Sequence, residues 1–324
     1  MMPRGDKKIY IAGHRGLVGS AVVRALQQAG FDNLLTADHA SLELTDARQV
    51  DAFFRQHRPD RVVLAAAKVG GIAANQRYAY DFIQQNLMIQ SQIIDAARRY
   101  KVERLLFLGS SCIYPRDCPQ PIKESYLLSG ALESTNRAYA LAKIAGIELC
   151  AAANRQYGMQ CLALMPCNLY GPGDNFDVEN AHVLPALLQK MHHAKVTAAA
   201  SVSIWGSGSP KREFLHSDDL AQACLLLLQL PEDAFIEQLH VADFPIINVG
   251  SSVDISIAQL AQQVRAVVGF QGKLGYDQTK PDGTPRKLLD SRRIQALGWQ
   301  ARIDLSAGLA EVYQHYVKQR YSAE

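Results

Sequence analysis

The sequence has no long run of one charge. Its 324 residues carry 34 Lys and Arg against 31 Asp and Glu, a formal net charge of +3. The basic residues fall in scattered pairs, Lys7–Lys8, Arg98–Arg99 and Arg292–Arg293. A nucleic-acid footprint needs a clustered patch or stripe instead. No stretch approaches the roughly 20 apolar residues of a membrane span. The opening segment, MMPRGDKKIYIAG, holds no apolar run of signal-peptide length. Cysteine is scarce, at positions 112, 118, 150, 161, 167 and 224 only. No two of them form a CxxC pair and no spacing suits zinc. A chain of this size needs no disulfide staples. These absences point to reduced thiols in a cytoplasmic protein, with no metal, no nucleic acid and no membrane partner. No internal repeat or low-complexity tract is present. What remains is ordinary, 48% hydrophobic and 20% charged, and suits one large domain or two unequal ones.

Strand and helix patterns alternate from the start. KIYIAG (8–13), NLLTA (33–37), RVVLAAA (61–67), RLLFLGS (104–110) and CLALMPC (161–167) read as short buried strands. Between them, residues 17–29, 45–57, 81–100 and 137–157 have helical spacing, with Thr45 as N-cap of the second helix. This rhythm predicts an α/β fold: a doubly wound, parallel Rossmann-type sheet covered on both faces. After about residue 170 the pattern turns irregular. GPGDNFDVENAH (171–182) and PDGTPRKLLD (281–290) are loop-like. A dinucleotide-binding domain over 1–175 is expected, with 215–250 returning to it through a helix from Asp218 and the strand IINVG. Residues 176–214 and 251–324 would form a smaller substrate-binding domain.

Three features carry chemistry. Gly13, Gly16 and Gly19 lie between the first strand and the first helix, where glycines allow a tight turn and bring a pyrophosphate to the helix N-terminus. The adenosine end gives conflicting signals. Asp38 suits a ribose hydroxyl and NAD, whereas Arg15 suits a 2′-phosphate. Next, YALAK puts Tyr139 and Lys143 four residues apart on one helix face. A lysine beside a phenol favours proton exchange. Ser110 ends the fourth strand, where it can bond the same substrate oxygen. Lastly, LGSSCIYP (108–115) places Cys112 beside two hydroxyls. Packing is the plain explanation for a thiol; a base is the other. His192–His193 lacks a third ligand and reads as a solvated helix end. Trp205 opens a Gly-rich loop and suits sugar or base packing, or the core.

The chain resembles the extended short-chain dehydrogenase/reductase family over essentially its whole length. GHRGLVGS (13–20), AAAKVGGI (65–72), LGSSCIYP (108–115), TNRAYALAKIAG (135–146), NLYGPGDNF (168–176), HVLPALL (182–188), WGSGSPKREFLH (205–216) and KPDGTPRKLLD (280–290) carry the resemblance. Within that family it is most similar to members that epimerise GDP-4-keto-6-deoxy-mannose at C3 and C5 and then reduce C4 with NADPH. The resemblance implies that Ser110, Tyr139 and Lys143 form the reductase trio, Cys112 is the base and His182 the acid of epimerisation. It implies NADP(H) contacts at Gly13, His14, Arg15, Gly16, Leu17, Val18, Gly19, His39, Leu108, Gly109, Ser110, Ser111, Lys143, Pro166, Cys167, Asn168, Leu169 and His182. The GDP-sugar would meet Lys190, Trp205, Arg212 and Asp282. A homodimer is implied, joined as a four-helix bundle through the helices at 81–100 and 138–157. The sequence departs from the family where arginines often follow the second strand: here stand Thr36, Ala37, Asp38 and His39, so NAD(H) is not excluded. Ala138 and Ser134 replace frequent prolines, and Lys190 a frequent arginine. The alternatives are a nucleotide-sugar 4-epimerase or dehydratase, a colitose-type synthase acting on a 3-deoxy ketone, or a dinucleotide-binding protein without turnover.

Overall fold

Ile9, Tyr10, Ile11 and Ala12 are all fully buried. A strand that is apolar on both faces belongs in the middle of a sheet with helices on either side. The computed structural model describes residues 7–177, 181–241, 243–280 and 282–321. Residues 178–180 of the expected loop 171–182, and Pro281 of the later loop, lie outside the described residues. From the amino end, β1 (Ile9–Ala12) leads into α1 (Leu17–Gln28) and β2 (Leu34–Leu35) into α2 (Ala47–His57). β3 (Arg61–Leu64) is followed by α3 (Ile72–Arg77) and α4 (Ala79–Arg99), and β4 (Arg104–Leu108) by short 3-10 turns and α5 (Arg137–Tyr157). Then come β5 (Cys161–Pro166), β6 (Asn168–Tyr170), α6 (Val183–Val196), β7 (Ser201–Trp205) and β8 (Lys211–His216). The rest is α7 (Ser217–Gln229), α8 (Glu232–His240), β9 (Ile246–Val249), β10 (Asp254–Ser256), α9 (Ile257–Val268), β11 (Lys273–Asp277), β12 (Arg286–Lys287), α10 (Arg292–Ala296) and α11 (Leu305–Tyr321).

Six strands form one parallel sheet in the order β2-β1-β3-β4-β5-β9. The chain goes from β1 outward to β2, then crosses to β3 on the other side of β1. At that reversal the loops leaving β1 and β3 diverge and open a crevice at the carboxyl ends of the strands. A second core lies beyond this edge, built from α6, β7, β8, α9 and α11 around Leu188, Phe214, Leu260 and Leu309. Leu289, Ile294 and Trp299 then return to the first core. The chain thus crosses back near 289–301, once more than the sequence rhythm suggests. Among the described residues no helix is long and apolar enough to cross a membrane.

Helices α4 and α5 pack closely because Gly146 removes a side chain at their crossing. A Cβ there would stand 2.7 Å from both Gln90 Oε1 and Phe107 Cζ. Buried Gln90 in turn donates to the Ala142 carbonyl at 2.6 Å. This contact holds α5, and so its chemistry-bearing face, against the sheet.

Several local expectations change. Asp46, not Thr45, caps α2: its carboxylate accepts from the backbone N–H of Arg48 at 2.8 Å and Gln49 at 3.3 Å. Thr45 instead bonds Glu43 through its N–H and hydroxyl. β2 is only Leu34–Leu35, because at the sheet edge it finds partners only in Ile9 and Tyr10. α4 starts earlier, behind a separate short α3. His192 is not a solvated helix end. α11 covers it, and its Nδ1 pairs with the Tyr313 hydroxyl at 3.0 Å.

Candidate active site

The crevice continues into a cavity of about 1290 Å³ that reaches the second core. Every residue singled out from sequence for catalysis, cofactor or substrate lines it. At one end β1 turns into α1. Gly13 has φ +85°, and a Cβ on Gly19 would lie 2.1 Å from the Gly13 carbonyl oxygen. Only glycine fits either place. The N-cap residue of α1 is Gly16, and no side chain caps it. The first-turn N–H groups and the positive dipole end therefore face the cavity, the arrangement that receives a pyrophosphate. This cradle fits a dinucleotide.

Arg15 and Asp38, the two conflicting signals, turn out to be partners. Their salt bridge is 2.8 Å long. The Ser41 hydroxyl and backbone N–H also bond Asp38, at 2.6 and 2.9 Å, and hold its carboxyl below the usual range, with Arg15 adding to the effect. Arg15 is an exposed cation beside a carboxylate that Ser41 holds in place. His39 pairs with Glu43 at 3.2 Å.

Mid-cavity, α5 presents Tyr139 and Lys143. The Lys143 ammonium donates to the Leu108 carbonyl at 2.7 Å, and its Nζ lies 4.6 Å from the Phe107 ring centroid. Burial lowers its pKa to about 7. Burial pushes the Tyr139 phenol up; the nearby Cys112 adds to this and the Ser110 hydroxyl opposes it. The expectation that Lys143 favours the phenolate is corrected here. The two residues share a helix face, but the lysine stem carries Nζ past the ring, 5.9 Å from its centroid, to the end of β4. Tyr139 is thus a protonated phenol at neutral pH, a donor.

Ser110 lies two residues past the end of β4 and accepts from the Cys112 N–H at 3.2 Å, which caps the 3-10 turn carrying the thiol. Cys112 is half-buried at the cavity wall, not packed in the core. Asn136 Nδ2 lies 3.1 Å from its sulfur and Lys287 Nζ 3.6 Å. Sequence reasoning missed both. Asn136 stood within the quoted TNRAYALAK stretch, but Lys287 is 175 residues from Cys112, and no local pattern could have linked them. His182, the N-cap residue of α6, is open to the cavity, and the protein around it lowers its pKa.

At the far end Trp205 is 56% exposed, so it is not a core residue. Lys190 and Lys280 lie over its ring, at 5.4 and 5.6 Å; Lys280 was not foreseen. Burial lowers the pKa of Lys190 and of Arg212. Asp282 accepts from the Ser207 N–H at 2.7 Å and the Ser207 hydroxyl at 2.8 Å, which ties down the turn after Trp205.

Comparisons with known proteins agree with this geometry. Residues 9–250 match the model of the NAD dependent epimerase/dehydratase family. GDP-L-fucose synthase 1 of Arabidopsis thaliana is 55% identical over 311 residues, 96% of this chain and 93% of that protein. GDP-L-fucose synthase of Escherichia coli (strain K12) is 52% identical over 312 residues, 96% and 97% of the two chains. GDP-L-colitose synthase of Yersinia pseudotuberculosis matches at 33% over 318 residues, 97% and 99% of the two chains. Among solved structures, a GDP-mannoheptose C4 reductase from Campylobacter jejuni with NADP bound superposes with a TM-score of 0.87 at 37% identity, covering 98% of this chain and 100% of that one.

Proposed function

Because the chain belongs to the NAD dependent epimerase/dehydratase family, we propose that its cavity is the single active site of a bifunctional epimerase/reductase. It converts GDP-4-keto-6-deoxy-D-mannose to GDP-L-fucose, with NADP(H) as cofactor. The observation that carries this reading is one cavity in which a hydroxyl–phenol–lysine trio adjoins a half-buried thiol, in a chain 55% identical to a GDP-L-fucose synthase. The lower identity to the colitose synthase, 33%, favours the 6-deoxy over the 3,6-dideoxy ketone. The NADP-bound heptose reductase supports the cofactor.

The chemistry follows from the residues. A C4 ketone acidifies the protons on C3 and C5. Cys112 takes each proton, and the electron pair moves to the C4 oxygen. Ser110 and the protonated Tyr139 hydrogen-bond that developing oxyanion. His182, protonated from solvent before each inversion, returns a proton to the opposite face, and Cys112 gives its proton to solvent between the two. When bound, NADPH supplies the hydride that reduces C4. Tyr139 then gives its proton to the C4 oxygen. Lys143, anchored on the Leu108 carbonyl, would hold the nicotinamide ribose. Lys190 and Arg212 offer positive charge to the diphosphate, and Trp205 a face for the sugar or base. The same reading includes a cytoplasmic homodimer. Its contact would be α4 and α5, whose outer faces leave Leu87, Leu141 and Leu149 exposed.

The test is turnover of GDP-4-keto-6-deoxy-mannose with NADPH, followed by absorbance and by NMR of the product in heavy water. Deuterium at C3 and C5 of GDP-fucose is expected. Oxidation without deuterium would leave a plain ketoreductase, and NAD held through a cycle with no net NADPH use would mean a 4-epimerase or dehydratase. Tyr139→Phe should slow reduction by about 10²-fold or more with cofactor binding retained; an unchanged rate removes Tyr139 from the mechanism.

A further inference from the structure

Two side chains with no part in this scheme point at the Cys112 sulfur from different layers. Asn136 is the N-cap residue of α5, and its Nδ2 stands 3.1 Å from Sγ. Lys287 closes β12, where it pairs in register with Arg212 of β8, and its Nζ stands 3.6 Å from Sγ. The sulfur therefore lies where the first sheet's loops meet the second core. Both neighbours can only donate through these nitrogens. A neutral thiol is a weak acceptor, so a donor pair gains little from it. A thiolate would make two charge-assisted contacts. Arg212 stands beside Lys287 across the ladder.

We propose that Lys287 and Asn136 are positioning residues that hold Cys112 as the thiolate base and aim it at the substrate carbons. The inference rests on the reading of Cys112 as the base of epimerisation. The step balances without further reagents. The thiolate takes a proton from C3 or C5, the S–H bond forms as the C–H bond breaks, and the electron pair moves to the C4 oxygen. Lys287 and Asn136 neither gain nor lose a proton. This arrangement also explains why a base on the 3-10 turn after β4 needs β12, far along the chain. The second core supplies the cation that the first core lacks at that point.

The test uses the full-length protein and two readouts. One is the rate at which iodoacetamide alkylates Cys112 in the absence of substrate, read by mass spectrometry of the peptide. The other is exchange of C3 and C5 protons for deuterium in GDP-4-keto-6-deoxy-mannose, without net reduction. Lys287→Met should slow both by about tenfold or more, lowering the exchange kcat more than it raises KM. Lys287→Arg, which keeps the charge, should restore most of both rates. Asn136→Asp should slow alkylation as well, by setting a carboxylate beside the sulfur, and serves if Lys287→Met does not fold. Retained cofactor binding checks the fold of each variant. Unchanged alkylation in Lys287→Met and Asn136→Asp overturns the pairing. Full exchange in Cys112→Ser overturns the base itself, and that result leaves the alkylation rates to judge the pairing separately.

Discussion

Lys143 can be tested without any substrate, through its effect on stability. The residue is 3% exposed, and its ammonium makes one bond, 2.7 Å, to the Leu108 carbonyl. Burial takes its pKa from 10.5 to about 7. In the unfolded chain the lysine stays protonated up to its ordinary pKa. Between the two values the unfolded state binds more protons, so stability rises with pH across that window. Each pH unit inside it is worth about 1.4 kcal/mol, and the whole window roughly 5 kcal/mol. At pH 7 almost all of this stands as a penalty on the folded state. Methionine fills a similar volume and carries no proton. It leaves the Leu108 carbonyl without the lysine, at a cost of about 1–3 kcal/mol. Cofactor-free Lys143→Met should therefore be more stable than the parent at pH 7 by about 1–3 kcal/mol, while losing turnover. The advantage should shrink by roughly 2 kcal/mol between pH 7 and pH 9. Urea unfolding of both proteins at the two pH values measures this, and comparing them cancels every other titrating group. A difference that is the same at both pH values, or a variant less stable at pH 7, would refute the reasoning.

Two further expectations concern the frame of the site. Gly146→Ala pushes a methyl toward Phe107 Cζ and Gln90 Oε1, each 2.7 Å from the new Cβ. Overpacking of about 1–3 kcal/mol should outweigh the roughly 1 kcal/mol of helix propensity gained, so thermal unfolding should show a lower Tm; an equal or higher Tm contradicts the packing argument. Glu213 is fully buried between the two cores and accepts from the Ser252 N–H at 2.6 Å and the Leu289 N–H at 3.0 Å. Burial raises its pKa from 4.5 to about 7. The folded state then keeps a proton that the unfolded state releases, so stability should fall as pH rises from about 4.5 through 7, by up to roughly 3 kcal/mol. Glu213→Gln should flatten that interval in unfolding at pH 5 and pH 7, and parallel slopes for the two proteins would exclude Glu213 as the source.

Much of this protein is legible because its signals are local. KIYIAG and RLLFLGS are strands since a continuous apolar run of that length is buried on both faces. Tyr139 and Lys143 share a side because a helix brings residues four apart together. The Gly13–Gly19 turn follows from a strand meeting a helix with no room for a Cβ. Local reading failed where side chains choose among partners. Thr45 is an acceptable cap in sequence, but it bonds Glu43 and leaves Asp46 to cap α2. His192 has the composition of a solvated helix end, and α11 covers it. Arg15 and Asp38 argue against each other as separate signals, and in the fold they are one ion pair. The lysine expected to charge Tyr139 reaches the Leu108 carbonyl instead.

By itself, then, the sequence determined the alternating sheet-and-helix frame, the phosphate-binding turn and the residue types of the site, since periodicity and short-range sterics act within a few residues. Only the tertiary structure decided which charges meet. It brought Lys287 and Asn136 to the Cys112 sulfur and paired Arg15 with Asp38. It also buried Lys143 deeply enough to move its pKa. Burial and ion pairing depend on distances between segments far apart in the chain, and packing of the two cores sets those distances.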